Sequence, residues 1–300
     1  MDDRLVFKYV SFVDEISNNY QYDSNIKHLL YLIIPAFVTK YSIYKEKLVL
    51  DTFRNIPIIN SQEVNNSTQA FYTSIPKYQD DNIITNKFIV LNNYKGISLV
   101  QLMDSLVHEF NHAINSYLKE ILIKDNRLFL RTGLSYVLYS LPDLKSLDKD
   151  DSYVLEEILN TYQTEEIINI IKSYNPPNDT IFYNTIYSVN NETDNRYNSD
   201  AYYLEKTLLK PILDNKTFIS TLNNLRISGD ISDIEDWFNN ITGDNKSYFL
   251  LIKYLKDIIS LEEKYVKQKI FKDITISKIK DIVGRVLEII NKFNNNCNYK

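Results

Sequence analysis

The 300-residue chain holds a single cysteine, Cys297, in a polar Asn-rich tail. A disulfide framework and a cysteine metal cluster are both excluded, so any bound metal must be held by His, Asp or Glu. A basic excess is also missing. The formal net charge of -5 argues against a nucleic-acid-binding surface, which shows as a basic domain or stripe. No hydrophobic run is long enough for a membrane. The most apolar stretch, Leu29 to Val38, is interrupted by Pro35, whereas a span needs about 20 apolar residues; it reads as a buried helix. The N-terminus MDDRLVFKYVSFVDEI lacks the basic start, apolar run and small-residue cleavage site of a signal peptide, so a cytoplasmic protein is expected. Glycine is scarce, five in all, which together with long Leu/Ile-rich stretches points to a mainly helical chain.

Residues 3 to 44 predict two helices, the first with Leu5, Val6, Tyr9, Val10 and Val13 on one face. The pattern then changes to short β-prone runs, LVLDTF (48 to 53), AFYTSI (70 to 75) and KFIVLN (87 to 92), which predict a small sheet. Ser98 with Gln101 reads as a capping box opening a helix over 99 to 119. Residues 121 to 140 predict two or three strands, with Asp125-Asn126 as a turn and Gly133 as a break. Helices are expected near 152 to 173, 199 to 209, 216 to 227, 232 to 240, 245 to 260 and 276 to 293, with Asn175 to Asn178 and Asn190-Asn191 as punctuation. The expected organisation is an α+β part over 1 to 140 and a helical part over 141 to 300, with a cleft between them.

His108-Glu109-Phe110-Asn111-His112 is an HExxH motif inside the predicted helix. One helical turn separates the two histidines, so both imidazoles leave the same face and can bind one tetrahedral Zn²⁺. Glu109 lies about 100° around the helix and can reach a water on the metal's open position, as general base. His28 sits on the edge of an apolar helix and reads as a packing or surface histidine. A catalytic zinc keeps three protein ligands plus water, and no histidine lies downstream of His112. The third ligand must then be a carboxylate. The best stretch is Leu155 to Glu165, with Glu156 and Glu157 both available.

Together these residues resemble the gluzincin metallopeptidases, and more closely small bacterial gluzincin-like proteins whose second motif helix reads roughly NExxTExLTE. The resemblance covers about residues 88 to 166. It implies that Glu157 is the zinc ligand, that Glu156 stands at the polar position before it, and that Thr161 supports a zinc histidine; Thr164-Glu165 also match. Glu156 is the alternative ligand. Two positions depart from the pattern: Ile158 stands where glycine is frequent, and Thr161 where an acidic partner is. The resemblance further implies an α+β zincin-like core with a small mixed sheet, an edge strand (KFIVLN) able to pair with a peptide, and a Tyr or His that stabilises the oxyanion, for which Tyr202 or Tyr203 is available. Trp237 and the phenylalanines near it read as core, and Arg131 as a surface arginine.

The expected function is zinc-dependent hydrolysis of peptide bonds, with His108, His112 and Glu157 holding one Zn²⁺ per chain, Glu109 as base, and a peptide or protein as substrate. The rival expectation is a catalytically inactive zincin-like protein that binds a peptide or protein partner.

Overall fold

In the computed structural model, which describes residues 3–42, 45–61, 69–92, 94–176, 180–191, 202–229, 233–268 and 273–297, the chain is α+β and divides into two units. One comprises Met1–Tyr117 with Asn160–Ala201, the other Leu118–Leu159 with Tyr202–Lys300. The chain therefore does not divide at residue 140. The first unit is built from two separated stretches, because the helix after the second sheet carries the chain back to it.

The first unit opens with α1 (Asp3–Lys8), α2 (Val10–Tyr20), α3 (Ser24–Tyr41) and α4 (Glu46–Asn55). Helix α3 contains the apolar stretch predicted to be buried; Leu29, Leu30, Leu32, Ile33 and Ile34 are fully enclosed, and Pro35 is accommodated inside the helix. Residues 48–53, predicted as a strand, lie in α4. Val49, Thr52 and Phe53 recur at i, i+3 and i+4 and are buried, and Glu46 and Arg54 complement the helix dipole at its two ends.

A three-stranded mixed sheet follows, of β1 (Ile58–Ser61), β2 (Ala70–Gln79) and β3 (Asn82–Asn92), in the order β1-β3-β2. Strand β3 pairs parallel with β1 and antiparallel with β2. KFIVLN therefore lies in the central strand and not at an edge; its inward run Ile89, Val90 and Leu91 is buried, as a central strand requires. Helix α5 (Leu99–Ser116) packs on β2. The unit is completed by the greater part of α6 (Tyr153–Lys172) and by α7 (Ile181–Asn191), a helix the sequence reading did not anticipate. Asn190-Asn191, expected as a loop, form the last turn of α7. Of the expected loop at 175–178, residues 177 and 178 lie outside the described residues.

The second unit contains an antiparallel sheet, β4 (Ile121–Lys124), β5 (Arg127–Thr132), β6 (Ser135–Ser140) and β7 (Ser146–Lys149), in sequential order. Asp125-Asn126 and Gly133 make its turns with positive φ, as expected of such residues. Helices α8 (Tyr203–Leu213), α9 (Lys216–Ser228), α10 (Ile234–Thr242), α11 (Ser247–Gln268) and α12 (Asp273–Cys297) follow. Trp237 lies tilted against Phe218 and edge-on to Phe293, and Phe238 stacks on Phe293, forming an aromatic core. Among the described residues, no helix is long and apolar enough to cross a membrane.

Candidate metal centre

Helix α5 begins with the reciprocal capping box read from the sequence. The Gln101 amide donates to Ser98 Oγ at 3.2 Å, and the Ser98 amide donates to Gln101 Oε1 at 3.3 Å. That start fixes the helix phase, and the phase decides which way the motif faces. The helix is buried nearly all round: Leu102, Met103, Leu106 and Phe110 are enclosed, and so are His108, Glu109 and His112. Polar groups at such depth must find partners or a ligand.

The two imidazoles converge. Nε2 of His108 and Nε2 of His112 stand 3.2 Å apart, and ligand atoms of His108, His112 and Glu157 all lie within 4.8 Å of one another. Two nitrogens on a tetrahedral zinc, each bonded at about 2.0 to 2.1 Å, are separated by about 3.3 to 3.4 Å. The observed spacing fits that edge. Without a cation or a shared proton between them, two lone pairs at this distance would repel. The donor set is two imidazoles and one carboxylate, one fewer than a closed tetrahedron, which suits a metal that keeps an open position. His28, on α3, is half-buried, and burial lowers its pKa.

Glu109 faces the sheet. The backbone N–H of Tyr72 in β2 donates to Glu109 Oε2 at 2.6 Å. Tyr72 is opposite Ile89 in the ladder, and the Ile89 amide turns the other way, to the carbonyl of Pro57. Strand β2 is thus one of the two outer strands of the small sheet, and its Tyr72 amide, turned away from β3, points to the motif glutamate.

Asn111 and Asn115, which carried no assignment from the sequence, belong to a buried chain of hydrogen bonds. Asn115 Nδ2 donates to the Tyr41 hydroxyl at 2.9 Å, and that hydroxyl donates to Asn111 Oδ1. Asn111 Nδ2 donates to Asn160 Oδ1 at 2.6 Å and to Gln163 Oε1 at 3.1 Å. Asn160 Nδ2 then donates to the carbonyl of His108 at 2.9 Å. The sequence signal was available: these are polar residues at i and i+4, or i and i+3, within helices otherwise rich in Leu and Ile. The Thr161 hydroxyl, which the resemblance assigns to a zinc histidine, meets no hydrogen-bond partner among the described residues.

Glu156 is engaged elsewhere. Its carboxylate accepts from Arg226 Nε at 2.9 Å and from Arg226 Nη2, and from the Leu134 amide at 2.9 Å. Both side chains are essentially without solvent exposure. Gly133, at φ +57°, lies against this carboxylate so closely that a Cβ would overlap it. Arg131 is not a surface residue. It is fully buried and donates to the carbonyls of Gly133 and Arg226, each at 2.7 Å, and to that of Leu118. A guanidinium can be stored this way because its fork of donors matches several carbonyls at once.

Of the two tyrosines considered for the oxyanion, Tyr203 is 73% exposed. Tyr202 precedes α8 in the left-handed region, at φ +54°, an uncommon conformation for a bulky residue. Burial raises the pKa of its phenol, and the carboxylate of Glu157 adds to the rise. Glu205, three residues on and fully buried, was not singled out by the sequence; burial, with a contribution from Glu262, pushes its carboxyl up to about 7.

No family model, curated protein or solved structure matches the chain.

Proposed function

We propose that the protein is a zinc-dependent peptide hydrolase with a zincin-like core, in which His108, His112 and Glu157 hold one Zn²⁺ and Glu109 is the general base. The observation that carries this reading is the 3.2 Å approach of the two Nε2 atoms, with Glu157 completing the ligand group. Bound there, zinc would polarise the scissile carbonyl and lower the pKa of a water toward neutrality. Glu109 takes the proton of the attacking water and passes it to the departing amine. Edge strand β2 orients an extended peptide by backbone pairing beside Glu109. Tyr202, kept protonated by its surroundings, donates to the carbonyl oxygen as negative charge develops there.

A second reading is favoured by the Tyr72 amide, which already occupies a carboxylate oxygen of Glu109. In that reading the protein holds a peptide along β2 without turnover.

Zinc content and hydrolysis of a peptide library, measured on wild type, His112→Ala, Glu157→Ala and Glu109→Gln, separate the two. The hydrolase keeps near one zinc in wild type and Glu109→Gln, loses it in the two ligand variants, and loses turnover in all three variants. Zinc content unchanged in His112→Ala overturns the site. Zinc bound with no Glu109-dependent cleavage selects the binding reading.

A further inference from the structure

The chain of amides described above ends on a zinc histidine's own backbone. Asn115 donates to Tyr41, Tyr41 to Asn111, Asn111 to Asn160, and Asn160 to the carbonyl of His108. Each member accepts from the one before and donates to the next. The directions of Asn160 and Asn111 are thereby set: turning Asn160 would place its oxygen against the His108 carbonyl and its N–H groups against those of Asn111, and turning Asn111 would place its oxygen against those of Asn160 and Gln163. Successive hydrogen bonds of one sense polarise one another inside a low-dielectric interior. Asn160, Asn111 and Asn115 are wholly buried, where an unmatched amide would be costly, so the chain holds one arrangement.

Asn160 is also the residue three after Glu157 on α6, and therefore on the same helix face. The apolar neighbours Ile158 and Leu159 are enclosed, but apolar contacts are non-directional and tolerate small rotations of a helix. A hydrogen bond does not. One residue step of rotation turns a side chain through about 100°, enough to carry a carboxylate away from its partners.

We propose that Asn160 is a positioning residue for the metal centre: its amide, held by Asn111 and donated to the His108 carbonyl, sets the turn of α6 that presents Glu157 to the two histidines. The proposal rests on the metal-centre reading given above.

The test is zinc affinity, measured by competition with a chromogenic chelator, together with the visible spectrum of the Co²⁺-loaded full-length protein. Asn160→Ala is compared with Gln163→Leu, which removes the other acceptor of Asn111 and leaves the bond to His108 in place. Asn160→Ala is expected to lower zinc affinity about 10- to 100-fold, the range seen when groups that orient ligands are removed, and to shift the Co²⁺ bands. Gln163→Leu is expected to keep wild-type affinity and spectrum. Asn160→Ser, a smaller cut in the same chain, is read in the same way if the alanine variant does not hold its fold. Wild-type affinity and spectrum in the Asn160 variants overturn the proposal, as does an equal loss in Gln163→Leu, which would mark the network as general packing. A wild type that takes up neither Zn²⁺ nor Co²⁺ overturns the metal-centre reading and this inference with it, whereas insensitivity of a metal-binding protein to Asn160 overturns this inference alone.

Discussion

The Tyr72 amide and the Glu109 carboxylate are joined at 2.6 Å, so the motif glutamate is tied to the backbone of an outer strand of the sheet. Tyr72→Pro removes the donor at a position where a strand tolerates proline, since the lost N–H faces away from β3. A hydrogen bond to a charged group contributes about 1.5 to 3 kcal/mol. If an extended peptide lies along β2 as proposed, the expected outcome is roughly a tenfold rise in KM for a cleaved peptide, with zinc content unchanged, because proline at this position disturbs the strand edge beside Glu109. Steady-state kinetics beside metal analysis reads both quantities; an unchanged KM removes β2 from substrate binding.

Tyr202 offers a separate test of turnover. Tyr202→Phe keeps the ring and deletes the donor, and loss of one donor to a developing oxyanion costs about 10²- to 10³-fold in kcat. KM and zinc content are expected to stay near wild type. A fall in zinc content of the same size would instead assign the phenol to the upkeep of Glu157.

The Arg226–Glu156 pair lies fully inside the second unit. Removing one member leaves a buried charge without its partner, a loss of about 3 to 5 kcal/mol. Urea unfolding of Arg226→Leu should show this, and Arg226→Leu combined with Glu156→Leu should recover a large part of it. Additive losses in the double variant would show that the two side chains do not depend on each other.

Gly133→Ala should be destabilising for two reasons acting together. Its φ of +57° is strained for a residue with a Cβ, at a cost of about 1 to 3 kcal/mol, and the new methyl group overlaps the Glu156 carboxylate. Differential scanning calorimetry is expected to show a clear fall in Tm. In the background of Glu156→Ala, where the overlap is relieved, the fall should shrink to the backbone contribution.

Glu205 sets a pH dependence. Its carboxyl titrates near 7 in the fold, against an ordinary 4.5, so between those values the folded chain binds more protons than the unfolded one. Its contribution is fully present below about 4.5 and is lost as pH rises through 7. Glu205→Gln should therefore be more stable than wild type at pH 8, by an amount on the order of 3 kcal/mol, and the difference should narrow as pH falls toward 5. Urea melts at the two ends of the range check the sign; a variant less stable than wild type at pH 8 refutes it.

The helix of the HExxH motif was legible because its start is chemical and its motif periodic: Ser98 and Gln101 mark the cap, and His108 and His112 share a face by spacing alone. The first three strands of the second sheet were equally readable, since Asp125, Asn126 and Gly133 are residues that turns select, whereas its fourth strand, β7 (Ser146–Lys149), fell in the part expected to be helical. Residues 48–53 were misread because β-branched and aromatic propensity is weak beside burial at Val49, Thr52 and Phe53. The edge of the small sheet was misassigned for another reason: strand order depends on pairings between distant segments, which no local pattern encodes. Arg131 looked like a surface residue because its partners are carbonyls, and carbonyls leave no mark in a sequence. Asn160 could be noticed as a polar residue among Leu and Ile, but its partner could not, since that partner is the backbone carbonyl of His108.

Because the first unit is assembled from Met1–Tyr117 and Asn160–Ala201, its parts emerge from the ribosome at different times. Asn111 can meet Tyr41 as soon as α5 is made, but Asn160 and Gln163 are translated only after the whole second sheet. A nascent chain or a truncation product ending before Glu157 therefore carries the two histidines without the carboxylate that would close the ligand group, so the three candidate ligands cannot come together until α6 is made.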